Sequence, residues 1–190
     1  MDRLARIAVR DRLLERLAAP TPLIMGILNV TPDSFSDGGA HDTLFAAQAH
    51  ARQMAEDGAD ILDIGGESTR PGGDPVSLED EWARVREPIT RLAGPDALPL
   101  SIDTYKTEIA RRAAEAGAVL VNDVWGMTKD EGMADAVAET ESLVCITYNR
   151  GKTDGDIDLR EDMAEFFGRA FDMADRAGIP RTHIQKAAIS

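Results

Sequence analysis

From Leu23 onward, short runs of apolar residues alternate with longer stretches in which apolar positions recur every three or four residues. Continuous apolar runs read as strands buried on both faces, and the 3.6-residue period reads as helices that cover them. The pattern therefore predicts a parallel α/β architecture. The predicted strands are LIMGILNV (23–30), DILDIGG (60–66), LPLSID (98–103), VLVNDV (119–124), LVCITYN (143–149) and a last run near HIQKAAIS (183–190). Their spacing of roughly 20 to 40 residues leaves room for a crossover helix between successive strands. Ser77 with Asp80 resembles a capping box ahead of LEDEWARVREPITRLA, and Gly94-Pro95 stops that helix. KTEIARRAAEAG and DMAEFFGRAFDMADRAG end at Gly117 and Gly178. Residues 1–20 read as a helical N-terminal extension. The charges at Asp2, Arg3, Arg6, Arg10, Asp11, Arg12 and Glu15 leave no uninterrupted apolar stretch for a signal peptide or membrane span.

EDGADILDIGG recurs loosely as EAGAVLVNDVWG, a supersecondary echo in which a helix end passes through Gly into a strand. No Pro/Ser-rich linker or charge block divides the chain, so residues 1–190 are expected to form a single domain. Six strands suit a doubly wound sheet, whereas a closed (β/α)8 barrel typically takes about 250 residues. Periodicity leaves that choice open.

The formal net charge of −13 would repel a phosphate backbone, which argues against a nucleic-acid partner. Cys145 is the only cysteine, so the chain cannot build a disulfide framework or a cysteine-rich metal site, and a reducing cytoplasm fits best.

In parallel α/β folds, binding groups collect in the loops after the C-terminal ends of strands. Here the first strand runs into a long polar loop through Thr31, Pro32, Phe35, Ser36 and Asp37, and the second into one through Thr69 and Arg70. Both exceed the usual 2 to 6 residues of such a connection, and long loops on that face are more often functional than decorative. Asp63, Asp103 and Asn122 lie within or at the end of otherwise apolar strands. A buried carboxylate is costly unless paired, so these three point to a ligand carrying an array of hydrogen-bond donors. A 2-amino-4-oxo pterin has such an edge, although the chemistry permits this ligand without selecting it. Asn29 offers a hard oxygen for Mg²⁺ and Arg70 a fork for phosphate oxygens, so together they suit a metal-bound diphosphate. The signals from His41, His50 and His183 are too scattered for a metal cluster. Gly65-Gly66 lacks dinucleotide-binding spacing. Cys145 reads as a small buried hydrophobe, Met54, Met133, Met163 and Met173 as core, and Lys106, which could face the site, rather as a helix-start cation.

MGILNVTPDSFSDGG (25–39), DIGGESTRPGG (63–73), SIDTYK (101–106) and VNDV (121–124) together resemble the dihydropteroate synthase family, in the right order and over residues 22 to 180. The resemblance implies a (β/α)8 TIM barrel, present here as about five and a half βα units, the N-terminal two-thirds of a family member. It implies condensation of 6-hydroxymethyl-7,8-dihydropterin pyrophosphate with p-aminobenzoate, with Mg²⁺ as cofactor, in a cytoplasmic homodimer. Sulfonamides, which mimic p-aminobenzoate, would compete for its place. Asp63, Asp103 and Asn122 would hold the pterin, and Asn29 the metal and pyrophosphate. Thr31, Pro32, Phe35, Ser36, Thr69 and Arg70 would line the loops over p-aminobenzoate, with Asp37, Arg70 and Asp103 in catalytic roles. Thr147-Tyr148 stands where the family usually has Met-His. The family's Asp-Pro-Gly loop, a later Lys and an Arg-x-His have no counterpart before Ser190. A pterin-dependent methyltransferase barrel and a non-catalytic pterin-binding homologue are the alternatives.

Overall fold

The chain is described from a computed structural model, which covers residues 1–31, 40–67, 75–150 and 157–188. Its elements follow the order α1 (Arg3–Leu17), β1 (Met25–Asn29), α2 (Ala40–Glu56), β2 (Ile61–Gly65), α3 (Leu78–Leu92), β3 (Leu100–Asp103) and α4 (Thr107–Ala116). They continue with β4 (Leu120–Asp123), α5 (Met133–Glu139), β5 (Leu143–Tyr148), α6 (Leu159–Ala177), a 3-10 turn (Arg181–His183) and β6 (Ile184–Ala188). All six expected strands are present, each one to three residues shorter than its apolar run.

The six strands form one parallel sheet in the order β1-β2-β3-β4-β5-β6. A doubly wound sheet reverses its strand order at a switch point and carries helices on both faces. Here the order never reverses, which is the winding of a (β/α)8 barrel, and the six strands form an arc of one.

Alternation along each strand sorts the side chains between two faces. Leu28, Leu62, Ile64, Leu100, Ile102, Val121, Val144 and Ile146 join residues of α2 to α6, including Val85, Ile89, Ile109 and Ala170, in the main core. Met133 lies in that core, with Met54 and Met173 packed against it, as expected of helical methionines, whereas Met163, expected there too, is half-buried and in neither apolar cluster. The residues between them, Ile27, Asp63, Ser101, Asp103, Asn122 and Cys145, fall on the inner face. Cys145 is half-buried there, and burial pushes its thiol up to about 11.

The start of the inner face is closed by α1. Val9 and Leu13 pack on Ile61, Leu120 and Leu143 to make a second apolar cluster at the N-terminal ends of the strands. Arg6, also buried, donates to the Ala118 and Thr140 carbonyls, and Arg10 donates to the Glu141 carbonyl at 2.8 Å. The N-terminal helix thus has an apolar stripe against the strand ends and arginines that satisfy loop carbonyls around it.

Ser77 caps α3 as its spacing with Asp80 suggests: its Oγ accepts from the Asp80 amide at 3.1 Å and donates to the Asp80 carboxylate at 2.7 Å. Ser77→Ala is expected to cost about 1 kcal/mol, read as a lower urea midpoint with an unchanged slope. At the other helix ends, Gly117 and Gly178 adopt φ of 130° and 79°, the positive values that favour glycine. Among the described residues, no helix is long and apolar enough to cross a membrane.

Candidate active site

The polar inner-face residues gather toward the C-terminal ends of the strands. The parallel register puts Asn29 beside Gly65, Gly65 beside Asp103 and Asp103 beside Asn122, one row running from β1 to β4. One row deeper, Asp63 lies beside Ser101. Gly65 keeps the upper row open. A Cβ there would sit 3.4 Å from Asn29 Oδ1 and 3.6 Å from Asp103 Oδ2, so the two oxygens converge on the space above the glycine.

Asp63 is only 3% exposed. Its Oδ2 accepts from Asn122 Nδ2 at 2.8 Å, which fixes the amide's orientation. Its Oδ1, together with Ser101 Oγ and Asp103 Oδ1, is buried with no hydrogen-bond partner among the described residues. A buried acceptor left unpaired costs about 1–3 kcal/mol, so two carboxylate oxygens beside a hydroxyl on one wall mark a place where a ligand's donors would be favoured.

Burial also sets the charges. It pushes the Asp63 carboxyl up, opposed by the nearby Ser101 hydroxyl, which lies outside hydrogen-bond geometry, and by the Asn122 amide. Burial, reinforced by the charges of Asp63, Glu81, Asp123 and Glu67, pushes Asp103 up to about 8. Carboxyls perturbed in this way by desolvation and like charges are a frequent signature of functional sites.

Asp123 shows the contrasting case. Burial pushes it up to about 6, but both its oxygens are occupied, Oδ1 by the Trp125 amide at 2.8 Å and Oδ2 by the Met127 amide at 2.7 Å. It holds the turn after β4, where Gly126 and Met127 have φ of 60° and 63°. Of the pair Asn122-Asp123, only the first faces the site.

Thr31 is described and half-buried beyond β1. Pro32, Phe35, Ser36, Asp37, Thr69 and Arg70 lie outside the described residues. Asn29 is exposed at the end of β1. Among the described residues no three His, Cys, Asp or Glu side chains gather around a metal position.

The Thr147-Tyr148 departure divides between the faces. Thr147 pairs with Ala187 two residues beyond the inner-facing Cys145, so it takes the inner wall. Tyr148 turns to the helix side, with its ring edge-on to Phe166 at 5.3 Å and its hydroxyl donating to Asp162.

The sequence reading missed a charged cluster beside Asp103. Lys106 is the N-cap residue of α4, close to the expected helix-start cation, but its ammonium binds Glu67 and Glu81. Glu81, 1% exposed, also accepts from Thr104 Oγ1 at 2.8 Å, and Glu67 accepts from the Tyr105 hydroxyl at 3.0 Å. Ser101 was missed as well, although alternation from Asp103 places it on the inner wall.

Residues 25–185 match the family described as pterin binding enzyme. The chain is 45% identical over 162 residues to the dihydropteroate synthase of Bacillus subtilis, covering 85% of this chain and 56% of that protein. Among solved structures, a dihydropteroate synthase from Clostridium difficile in the presence of pteroic acid superposes with a TM-score of 0.84 at 44% identity, covering 88% of this chain and 64% of that one. The Xanthomonas albilineans dihydropteroate synthase with 4-aminobenzoic acid gives a TM-score of 0.81 at 45% identity, over 88% of this chain and 61% of that one. The chain therefore spans about three-fifths of the length of these relatives. Match, identity and superposition cover the strands that carry Asn29, Asp63, Asp103 and Asn122, and by them the chain belongs to the pterin binding enzyme family.

Proposed function

We propose that the chain carries the pterin-binding wall of a dihydropteroate synthase, which condenses 6-hydroxymethyl-7,8-dihydropterin pyrophosphate with p-aminobenzoate and releases pyrophosphate in folate biosynthesis. The observation that carries this reading is the pair of buried acceptors on the inner wall without a partner among the described residues, Asp63 Oδ1 and Asp103 Oδ1, with the Asn122 amide on β4 held by Asp63 Oδ2. A pterin edge carries an amino group and ring N–H donors, which pair with carboxylate oxygens through charge-assisted bonds.

The reaction breaks the C–O bond between the pterin methylene and pyrophosphate, and both bonding electrons leave with the diphosphate. The resulting cationic pterin methylene is attacked by the aniline nitrogen, which forms the C–N bond and then loses a proton. Asp63 and Asp103 act by holding the ring and stabilising positive charge as it develops, in a wall that excludes water. A strong base is not required, and the donors of a bound pterin would favour the charged form of carboxyls that burial otherwise holds protonated.

The donor set fits Mg²⁺ in one specific way. Mg²⁺ keeps several waters and usually takes one or two protein ligands plus substrate phosphates. Asn29 Oδ1, directed at the space above Gly65, offers one hard oxygen of that kind. When bound there, the metal would neutralise charge on the leaving diphosphate. Arg70 would grip the same group, while Asp37, Thr31, Pro32, Phe35, Ser36 and Thr69 would close the first two loops over p-aminobenzoate and the reacting carbon. Sulfonamides would compete as mimics of p-aminobenzoate. The family resemblance also leads us to place the whole protein in the cytoplasm as a homodimer, and its lone Cys145 suits that compartment.

A calorimetric titration with the pterin pyrophosphate in Mg²⁺, followed by a product assay with p-aminobenzoate, tests the reading. Saturable binding in one-to-one ratio is expected. Binding without product would limit this chain to the pterin half of the reaction, and no binding at millimolar ligand would overturn the proposal.

A further inference from the structure

We infer that Lys106 is a positioning residue for the acids of the inner wall: it ties the end of β2 to the turn between β3 and α4 through Glu67 and Glu81. The ligand part of this inference rests on the pterin reading above.

The three residues that follow Asp103 supply one bond to each oxygen of two carboxylates. Thr104 Oγ1 donates to Glu81 Oε1 at 2.8 Å, the Tyr105 hydroxyl donates to Glu67 Oε1 at 3.0 Å, and Lys106 Nζ bonds the remaining oxygen of each acid. The Lys106 amide donates in turn to Thr104 Oγ1 at 3.1 Å, which tightens the turn. Glu81 lies on the first turn of α3 yet is almost fully buried, a placement that is costly without a cation and further hydrogen bonds.

Both acids act on the end of β2. Glu67 comes two residues after Gly65, whose register partner is Asp103. Glu81 packs under Gly66, where an added Cβ would lie 3.1 Å from its Cγ and 2.8 Å from Val85 Cγ1, and Arg84 donates to the Gly66 carbonyl at 2.8 Å. Lys106 is therefore the cation common to β2, α3 and the β3–α4 turn. On the outer side, Lys129 stacks on the Tyr105 ring at 3.8 Å and on Trp125 at 4.5 Å, which extends the tie to the turn after β4. Removing the ammonium leaves the two acids with one side-chain partner each among the described residues, Thr104 and Tyr105, and uncompensated negative charge beside Asp103.

The test compares Lys106→Met and Lys106→Arg with the wild-type chain. Without ligand, Lys106→Met should speed hydrogen exchange at the amides of Gly65, Gly66 and Thr104 by about tenfold or more, and Lys106→Arg by no more than about threefold. With 6-hydroxymethylpterin as probe, Lys106→Met should bind about tenfold more weakly or worse. Adding Glu67→Gln to that variant should recover at least about threefold of the lost affinity, because it removes one of the two charges left uncompensated. A merely structural lysine would show no such recovery. Wild-type affinity and exchange in Lys106→Met would overturn the inference. If the wild-type chain binds no pterin, the functional reading falls and the exchange comparison alone decides for or against Lys106. If Lys106→Met does not fold, Glu67→Gln takes its place: faster exchange confined to Gly65 and Gly66 supports the tie, and unchanged exchange overturns it.

Discussion

Asp63→Asn is expected to make the ligand-free chain more stable and to destroy most of its affinity for a pterin. Asp63 is buried at the centre of β2 with its Oδ1 unpaired, and its register partner Ser101 has an unpaired hydroxyl. An amide at position 63 would still accept from Asn122, as Asp63 Oδ2 does at 2.8 Å, and its NH2 would face the Ser101 oxygen. It would also remove an ionisable group whose charged form burial disfavours. The gain should be about 1–3 kcal/mol, the usual cost of leaving a buried polar group unpaired. The same change replaces a charged acceptor with an amide that presents donors to the ligand's own donors. Loss of a charge-assisted bond of about 3 kcal/mol corresponds to a loss of about 100-fold in affinity. Thermal melts and pterin titrations on one preparation check both halves. A less stable Asp63→Asn that keeps its affinity would make Asp63 a structural residue and remove the basis for the proposed site.

The second large effect is on the dependence of stability on pH. Asp103 is held at about 8 in the folded chain, mainly by burial, against an ordinary 3.8. Between those values the folded state binds more protons than the unfolded state, so this group's contribution falls as pH rises through that window. Asp123, held at about 6, acts in the same direction over the lower part of the window, and Asp63 shares the sign. His183 opposes them: burial lowers its pKa, so its contribution improves as pH rises toward the ordinary 6.5. Asp60 is lowered by its hydrogen bonds, and Asp130 too, desolvation being its largest single influence but outweighed by its several hydrogen bonds together; both lose their contribution only as pH falls below the ordinary carboxylate range.

The wild-type chain should accordingly lose on the order of 4 kcal/mol between pH 5 and pH 7.5, the larger part of it from Asp103, and Asp103→Asn should make that slope distinctly shallower. Urea denaturation at several pH values measures it, and parallel profiles for the two chains would refute the assignment. A ligand whose donors favour the charged carboxylate should also release protons when it binds near pH 7. In calorimetry this appears as a binding enthalpy that varies with the ionisation enthalpy of the buffer.

How much of this was legible in the chain depends on how local each signal is. The strands were readable because each is a continuous apolar run, and Asp63, Asp103 and Asn122 stood out as polar residues inside such runs. Strand order was not readable. The difference between a barrel arc and a doubly wound sheet lies in which strands pair, and both use the same alternation of apolar runs and helices. Glu81 was hidden for a related reason. An acid in the first turn of a helix ordinarily faces solvent and favours the helix dipole. Its burial depends on Thr104 and Lys106, which come 23 and 25 residues later and meet it only through the tertiary fold. The orientations of Thr147 and Tyr148 could have been read by counting in twos from Cys145, and those of Ser101 and Asp103 by the same rule.

The position of a bound pterin tests the central claim most directly. A crystal structure of the chain grown with 6-hydroxymethylpterin should place the amino-bearing edge of the ring within hydrogen-bond distance of Asp63 and Asp103, beside the Asn122 amide. A pterin bound elsewhere, with Asp63 Oδ1 and Asp103 Oδ1 still unpaired, would contradict the account.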